Sequence, residues 1–184
     1  MSGVSFSNRA VAALLAVVVV LGACSAGDGD RTGSPAGDTP STETPDPTPW
    51  ADGGFGSGTL VVTGSSGETS SWPVLVAADR ESRRRGLMGV TDLGGWVGMV
   101  FVFETDVTNG FWMKDTLIPL TVVYLDSDGG VVSAVDMEPC PPGTACPVYS
   151  ASGSYRMALE VPLGDLGRLG IEGDSTLSLV VSRG

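Results

Sequence analysis

Val97-Gly98-Met99-Val100-Phe101-Val102-Phe103 reads as one strand without a polar face. Side chains alternate along a strand, so Val97, Met99, Phe101 and Phe103 fall on one side and Val100 and Val102 on the other. A strand apolar on both sides has to be covered on both, which places it inside a sheet rather than at an edge. Around it, runs rich in Val, Thr and aromatic residues recur between Gly and Asp breaks, the pattern of a mainly β fold. Further strands are expected at residues 59–63, 71–77, 109–114, 120–125, 131–138, 154–161 and 176–182. Asp126-Ser127-Asp128-Gly129-Gly130 supplies a hairpin loop, because glycine reaches the positive φ that tight turns demand. The run after it alternates, with Val131, Val135 and Met137 inward and Asp136 and Glu138 on the opposite face. Asp79 can cap a short helix over residues 80–87, and residues 163–169 form a weaker helical stretch interrupted by Gly164 and Gly167. Parallel βαβ spacing is absent from this pattern. The expectation is a mainly β (α+β) domain, a small antiparallel barrel- or sandwich-like sheet with one or two short helices.

The chain has 184 residues, 42% of them hydrophobic and 17% charged, which suits one globular domain. Its formal net charge is −11. Affinity for a phosphate backbone rests on clustered Lys and Arg, so this balance argues against nucleic acid as a partner. Histidine is absent altogether, which removes the commonest general base, the commonest metal ligand and any Ser-His or Cys-His nucleophile pair.

The first residues differ in kind from the rest. A polar start, Arg9 and an unbroken apolar run from Ala10 to Leu21 have the layout of a secretory signal, too short to span a bilayer. The sequence Leu21-Gly22-Ala23-Cys24 resembles a lipobox, so residues 1–23 are expected to be a signal peptide and Cys24 the lipidated first residue; the alternative is a simple signal with an incidental cysteine. Two acyl chains, at about 0.8 kcal/mol per buried methylene, give anchoring that does not readily reverse. The expected address is the outer face of the cell membrane, lipid-anchored, with the membrane itself a partner through Cys24. Cleavage there removes only one charged residue, Arg9, leaving −12. Residues 24–57, rich in Gly, Ser, Thr, Pro and Asp, cannot bury enough surface to order themselves and are expected to be a linker spanning roughly 30 Å. Trp50 and Phe55 are its exceptions, placed either to adhere to the domain or to do nothing. Residues 58–184 form the domain.

Five segments carry a family resemblance. They are Arg85-Gly86-Leu87-Met88, Gly98-Met99-Val100-Phe101-Val102-Phe103, the block Phe111-Trp112-Met113-Lys114-Asp115-Thr116-Leu117-Ile118-Pro119-Leu120, Met137-Glu138-Pro139-Cys140 and Ala158-Leu159-Glu160. Together these resemble the domain of unknown function 192 family, from about Pro73 onward. The resemblance implies a small, mostly β, single-domain fold often found behind a signal or lipid anchor, and no settled activity. Asp115 stands where the family usually shows Asn, Thr121 where it usually shows Asp, and the interval between Cys140 and Cys146 is one residue longer. If the family's acid after Leu120 carries chemistry, Thr121 argues against an enzymatic role.

Several side chains can carry chemistry. With Cys24 lipidated, Cys140 and Cys146 remain, bracketing Pro141-Pro142-Gly143. Outside the cytoplasm they are expected to form a structural disulfide; a redox or metal-binding thiol pair is the alternative, although Cys-x-x-Cys at a helix start is the usual form of such thiols. Lys114 shares a strand face with Trp112 and opposes Phe111 and Met113, and its candidate carboxylate partners are Asp136, Glu138 and Glu160, with Arg156 on the strand face of Glu160. These six form either a polar ligand pocket, an acid–base pair within one, or a structural ion-pair network. Arg80, Arg83, Arg84 and Arg85 concentrate positive charge in an acidic chain, with Arg80, Arg83 and Arg84 on one helix side, facing either an anionic surface or water. Met88, Met99, Met113, Met137 and Met157 lack the His or the tight spacing of a copper site and read as gap-fillers, so no metal and no cofactor is expected. Trp96, Trp112, Tyr149 and Tyr155 pack a core or stack on sugar rings. Two functions follow: a non-catalytic envelope module that binds a ligand or partner protein through Trp112, Lys114 and Glu160, or a hydrolase-like enzyme using Glu138 or Glu160 with Lys114. The catalytic residues of the second are unknown beyond these.

Overall fold

The computed structural model describes residues 54–182. The signal peptide, Cys24 and most of the linker lie outside them. The elements in chain order are β1 (Gly56–Thr63), β2 (Thr69–Ala77), α1 (Arg80–Arg85), β3 (Met99–Val107), β4 (Phe111–Trp112), β5 (Leu120–Leu125), β6 (Val131–Met137), β7 (Val148–Tyr149), β8 (Tyr155–Pro162), α2 (Leu166–Leu169) and β9 (Thr176–Val181). Seven strands form one sheet in the order β6-β5-β8-β3-β2-β1-β9, while β4 and β7 pair separately. The two-sided apolar strand β3 is thus in the middle.

All pairs in the large sheet are antiparallel except β2 with β3, which run parallel with Leu75 beside Met99. The crossover between them is α1 plus the loop over residues 86–98. A helix of six residues is too short to leave a 3.6-residue pattern, which is why the parallel unit was not expected from the sequence.

Each face of the sheet has its own core. On the inner face Leu60, Val62, Val100, Val123, Leu125, Leu159 and Leu177 pack in one cluster, although they come from strands far apart in the sheet order. The sheet therefore curls onto itself. Its ends meet where the Leu177 N–H donates to the Gly129 carbonyl at 2.8 Å and Gly130 bridges Thr176. A Cβ on Gly129 would sit 2.0 Å from the Leu177 oxygen, so the meeting tolerates no side chain there. With so short a junction the sheet is sandwich-like rather than a closed barrel.

The outer face holds Met99, Phe101, Leu120, Val122, Tyr124, Tyr155 and Ala158, covered by Leu87, Val90 and Leu93 from the crossover and by Met113, Met137 and Cys140. Its rings meet edge-on or tilted, Phe101 with Phe111 at 4.9 Å and Tyr124 with Tyr155 at 4.8 Å between centroids. The Tyr124 hydroxyl donates to the Tyr149 carbonyl at 2.7 Å and the Tyr155 hydroxyl to the Asn109 carbonyl at 2.6 Å. Two buried phenols thus tether the β4–β7 ribbon over the outer face. Phe55 also packs there, so this linker residue adheres to the domain.

Candidate functional site

Helix α1 is fixed at its start by a capping box. Asp79 accepts from the Glu81 and Ser82 amides at 2.8 and 3.0 Å, and the Ser82 hydroxyl accepts from the Asp79 amide at 3.2 Å. One face of the helix and its continuation presents Glu81, Arg84, Arg85 and Met88, spaced i, i+3, i+4 and i+7. Arg83 is turned away from Arg80 and Arg84, against the expectation that the three share a side. Its guanidinium donates to the carbonyls of Ala78 and Val102, the latter at 2.8 Å, and lies 5.1 Å from the Phe103 ring centroid. It stitches the helix to the sheet. Arg85 lies over the Phe55 ring at 5.4 Å, while Arg80 and Arg84 are exposed.

Of the strand expected over residues 109–114, Phe111 and Trp112 pair with β7, and Lys114 forms an isolated bridge with Cys140. After Trp112, Met113 is buried and Asp115 takes φ +55°, a left-handed conformation that Asp and Asn tolerate better than most residues. The turn is held from two sides. Gly89 N–H donates to the Asp115 carbonyl at 2.9 Å, Asp115 N–H to the Cys140 carbonyl at 2.9 Å, and Cys140 N–H to the Thr116 carbonyl at 3.2 Å. Cys140 and Cys146 are joined in a disulfide, Cα to Cα 5.8 Å. Lys114 therefore projects from a turn clamped between the helical crossover and a disulfide loop.

Between α1 and this turn lies a groove of about 520 Å³ lined by Glu81, Arg84, Arg85, Met88, Trp112 and Lys114. Trp112 is 51% exposed, and the Lys114 ammonium sits 5.6 Å from its ring centroid. Below Trp112 is a cavity of about 40 Å³ whose wall includes Phe101, Phe111, Thr116 and Glu160. Glu160 is 4% exposed, and burial pushes its carboxyl up to about 8. Among the described residues no hydrogen bond or ion pair reaches that carboxyl. Burial likewise raises the neighbouring phenols, Tyr155 to about 12 and Tyr124 further.

The structure thus brings together Trp112, Lys114, Arg84, Arg85 and, beneath them, Glu160. It does not bring in the rest of the expected polar pocket. The exposed Asp136 accepts from the Thr121 hydroxyl at 2.7 Å across β5 and β6. Glu138 is exposed, its amide donating to the Tyr149 hydroxyl at 3.2 Å. Arg156 pairs with Asp106 at 2.8 Å on the surface. A register shift between the pairs Val102–Met157 and Val107–Tyr155 accounts for it, putting Tyr155 rather than Arg156 into the outer core. Lys114 forms no ion pair with any of its three candidate carboxylates. Among the described residues no cluster of three or more His, Cys, Asp and Glu could hold a metal. Glu81, Ser82 and Met88 were missed as groove residues; the i, i+3, i+4, i+7 spacing with Arg84 and Arg85 is the signal that carried Glu81 and Met88. Trp96 was left as a core or stacking residue, and its indole N–H is buried without an acceptor among the described residues.

Residues 61–179 match the family model described as DUF192, Uncharacterized ACR. No curated protein matches the chain. Among solved structures the chain is similar to a protein from Sinorhizobium meliloti 1021 described as a "putative transcription regulator". The two are 26% identical with a TM-score of 0.59, over 68% of this chain and 95% of that one. It is also similar to a protein of unknown function from Novosphingobium aromaticivorans DSM 12444, 28% identical with a TM-score of 0.55, over 65% of this chain and 83% of that one.

Proposed function

We propose that this chain, which belongs to the DUF192 family, is a non-catalytic module lipid-anchored through Cys24 on the outer face of the cell membrane, binding an oxyanion-bearing ligand in the groove beside Trp112. The carrying observation is one of contrast. In a chain of net charge −11, Arg84, Arg85 and Lys114 converge on one groove around a half-exposed indole. Cations in such a groove attract carboxylate or phosphate groups, and the indole face accepts the apolar face of a ring. An acidic saccharide of the envelope meets both demands. Regulation of transcription is the description of one relative; the acidic balance of this chain speaks against nucleic acid here.

Titration calorimetry of the full chain with D-glucuronate and with D-glucose tests the reading. Glucuronate should bind at least tenfold more tightly, and Trp112→Ala and Lys114→Ala should each weaken it. Equal binding of the neutral sugar, or indifference to both substitutions, overturns it. For the anchor, a radiolabelled lipid precursor should mark the native chain in cells but not Cys24→Ser, and labelling of both defeats that part.

A second reading, hydrolysis with Glu160 as proton donor, is favoured by the raised carboxyl of Glu160 alone. Of the two carboxylates it called on beside Lys114, Glu138 lines neither the groove nor the cavity, and Glu160 forms no ion pair with Lys114. Release of a reducing end from an acidic oligosaccharide, lost in Glu160→Gln, would decide for it.

A further inference from the structure

We propose that the small cavity under Trp112 is the oxyanion subsite of the groove, and that Glu160 in its protonated form is the buried donor that binds the ligand's oxygen. This rests on the binding reading above and adds to it a specific atom and a proton.

The geometry comes first. Glu160 is on β8, facing the outer core like Ala158; it is buried and lines the cavity, and no hydrogen bond or ion pair reaches its carboxyl among the described residues. At about 40 Å³ the cavity admits one small polar group, such as a carboxylate or the edge of a phosphate, and no ring. Phe101 and Phe111 form the apolar side of the cavity, while Arg83, Arg84 and Arg85 line it from α1 and its end and add positive charge to it. The Thr116 side chain also lines the cavity.

Charge then decides which ligand enters. Arg84, Arg85 and Lys114 line the groove above against the single carboxylate of Glu81, a net positive path that favours an anion over an ammonium ion. An anion beside an ionised Glu160 would be repelled in turn. Beside a protonated Glu160 it meets an O–H donor, and a hydrogen bond from a carboxylic acid to an oxyanion belongs to the strong, charge-assisted class. Burial holds Glu160 in that form at neutral pH, its carboxyl pushed up to about 8.

Few other groups can disturb the assignment. Toward Glu160 lie Arg83, Arg84 and Arg85 from α1 and its end, Tyr124 from β5, Tyr155 from its own strand, and Lys114 at the mouth beyond Thr116. From β3 the neighbours are the apolar Met99 and Phe101. Both phenols stay neutral up to at least pH 10. A change in affinity between pH 7 and 9.5 that is absent from Glu160→Gln therefore reports Glu160. Its sign follows from the proton. Binding needs the protonated acid, so affinity is level below about 8 and falls by up to tenfold per pH unit above it.

The experiment titrates the full chain with D-glucuronate and, separately, inorganic phosphate from pH 6.5 to 9.5, in the native form and as Glu160→Gln and Glu160→Leu. The native chain should lose about tenfold or more in affinity between pH 8 and 9.5. Glu160→Gln, whose amide donates at any pH, should bind without that loss, and its profile also subtracts phosphate's own ionisation. Glu160→Leu should bind at least tenfold more weakly throughout. The probe bound more tightly assigns the ligand as carboxylate or phosphate. In parallel, the Glu160 carboxyl carbon followed by NMR should titrate near 8 and move higher with the bound probe. Titration in the ordinary carboxylate range, or the same pH loss in Glu160→Gln, overturns the inference and leaves the groove reading standing. Failure of both probes to bind at pH 6.5 overturns the groove reading and the inference with it.

Discussion

The fully buried hydrophobic cluster on the inner face of the sheet consists of Leu, Val and Ile side chains, with Trp72 and Met157 partly buried against it, whereas the outer face buries a phenyl ring, phenols, thioethers, a disulfide sulfur and the acid Glu160. An aliphatic cluster has no polar atom to satisfy, so the curling sheet can seal it completely. The outer side chains bring polar ends, and these are spent on tethering loops: Tyr124 to Tyr149, Tyr155 to Asn109. The face that must be covered by loops is also the one that can hold a groove. Stability and recognition are thus divided between two sides of one sheet.

The largest effect should come from Glu160, the one buried acid among the described residues. Its folded carboxyl, at about 8, stands above the ordinary 4.5, so the native state holds the proton more tightly than the unfolded chain. The stability that this preference contributes is fully present below pH 4.5 and is lost as pH rises to 8. Glu160→Gln should therefore match the native chain near pH 4 and exceed it at pH 9 by on the order of 4 kcal/mol in urea unfolding. A parallel pH profile for the two proteins would show that the outer face holds no such acid.

Next in size, Leu159→Ala hollows the inner face one residue away in sequence and should cost about 3 kcal/mol in the same assay. Glucuronate affinity of the folded fraction should stay within twofold. If binding falls with stability, the two faces are not independent. Replacing both cysteines, Cys140→Ser with Cys146→Ser, should cost about 2 kcal/mol, the chain-entropy value for so short a loop. It should also speed hydrogen exchange at Asp115, whose amide donates to the Cys140 carbonyl. The smallest effect is expected at Trp96→Phe, which removes a buried donor that has no acceptor among the described residues. Stability should change by less than about 1 kcal/mol, in the favourable direction.

Much of this division was legible in the sequence. Val97 to Phe103 announced a strand covered on both sides, and β5 begins and ends at the residues expected for it. Glu160 was named there among the candidate carboxylates. What was hidden depends on contacts between distant segments. The β4–β7 ribbon has two residues per strand and exists because phenols from β5 and β8 hold its flanks, a tether no local pattern reveals. Lys114 was assigned a carboxylate partner as a partly buried residue at the end of a strand; in the structure it is exposed beside Trp112, just before the left-handed turn at Asp115. Arg156 was misplaced by a register shift, which flips a side chain without changing a residue.

The junction at Gly129 has a consequence of another kind. It works as a latch. A single amide from Leu177 and the adjoining Gly130–Thr176 bridge keep β9 folded against the far end of its own sheet. Strand β9 ends in Val180 and Val181, both more than half exposed, on an edge able to recruit a strand from another chain. While the latch holds, the first residue of that edge is occupied and the strand is kept curved, a poor template for a flat partner. Resistance to aggregation therefore depends on a residue with no side chain.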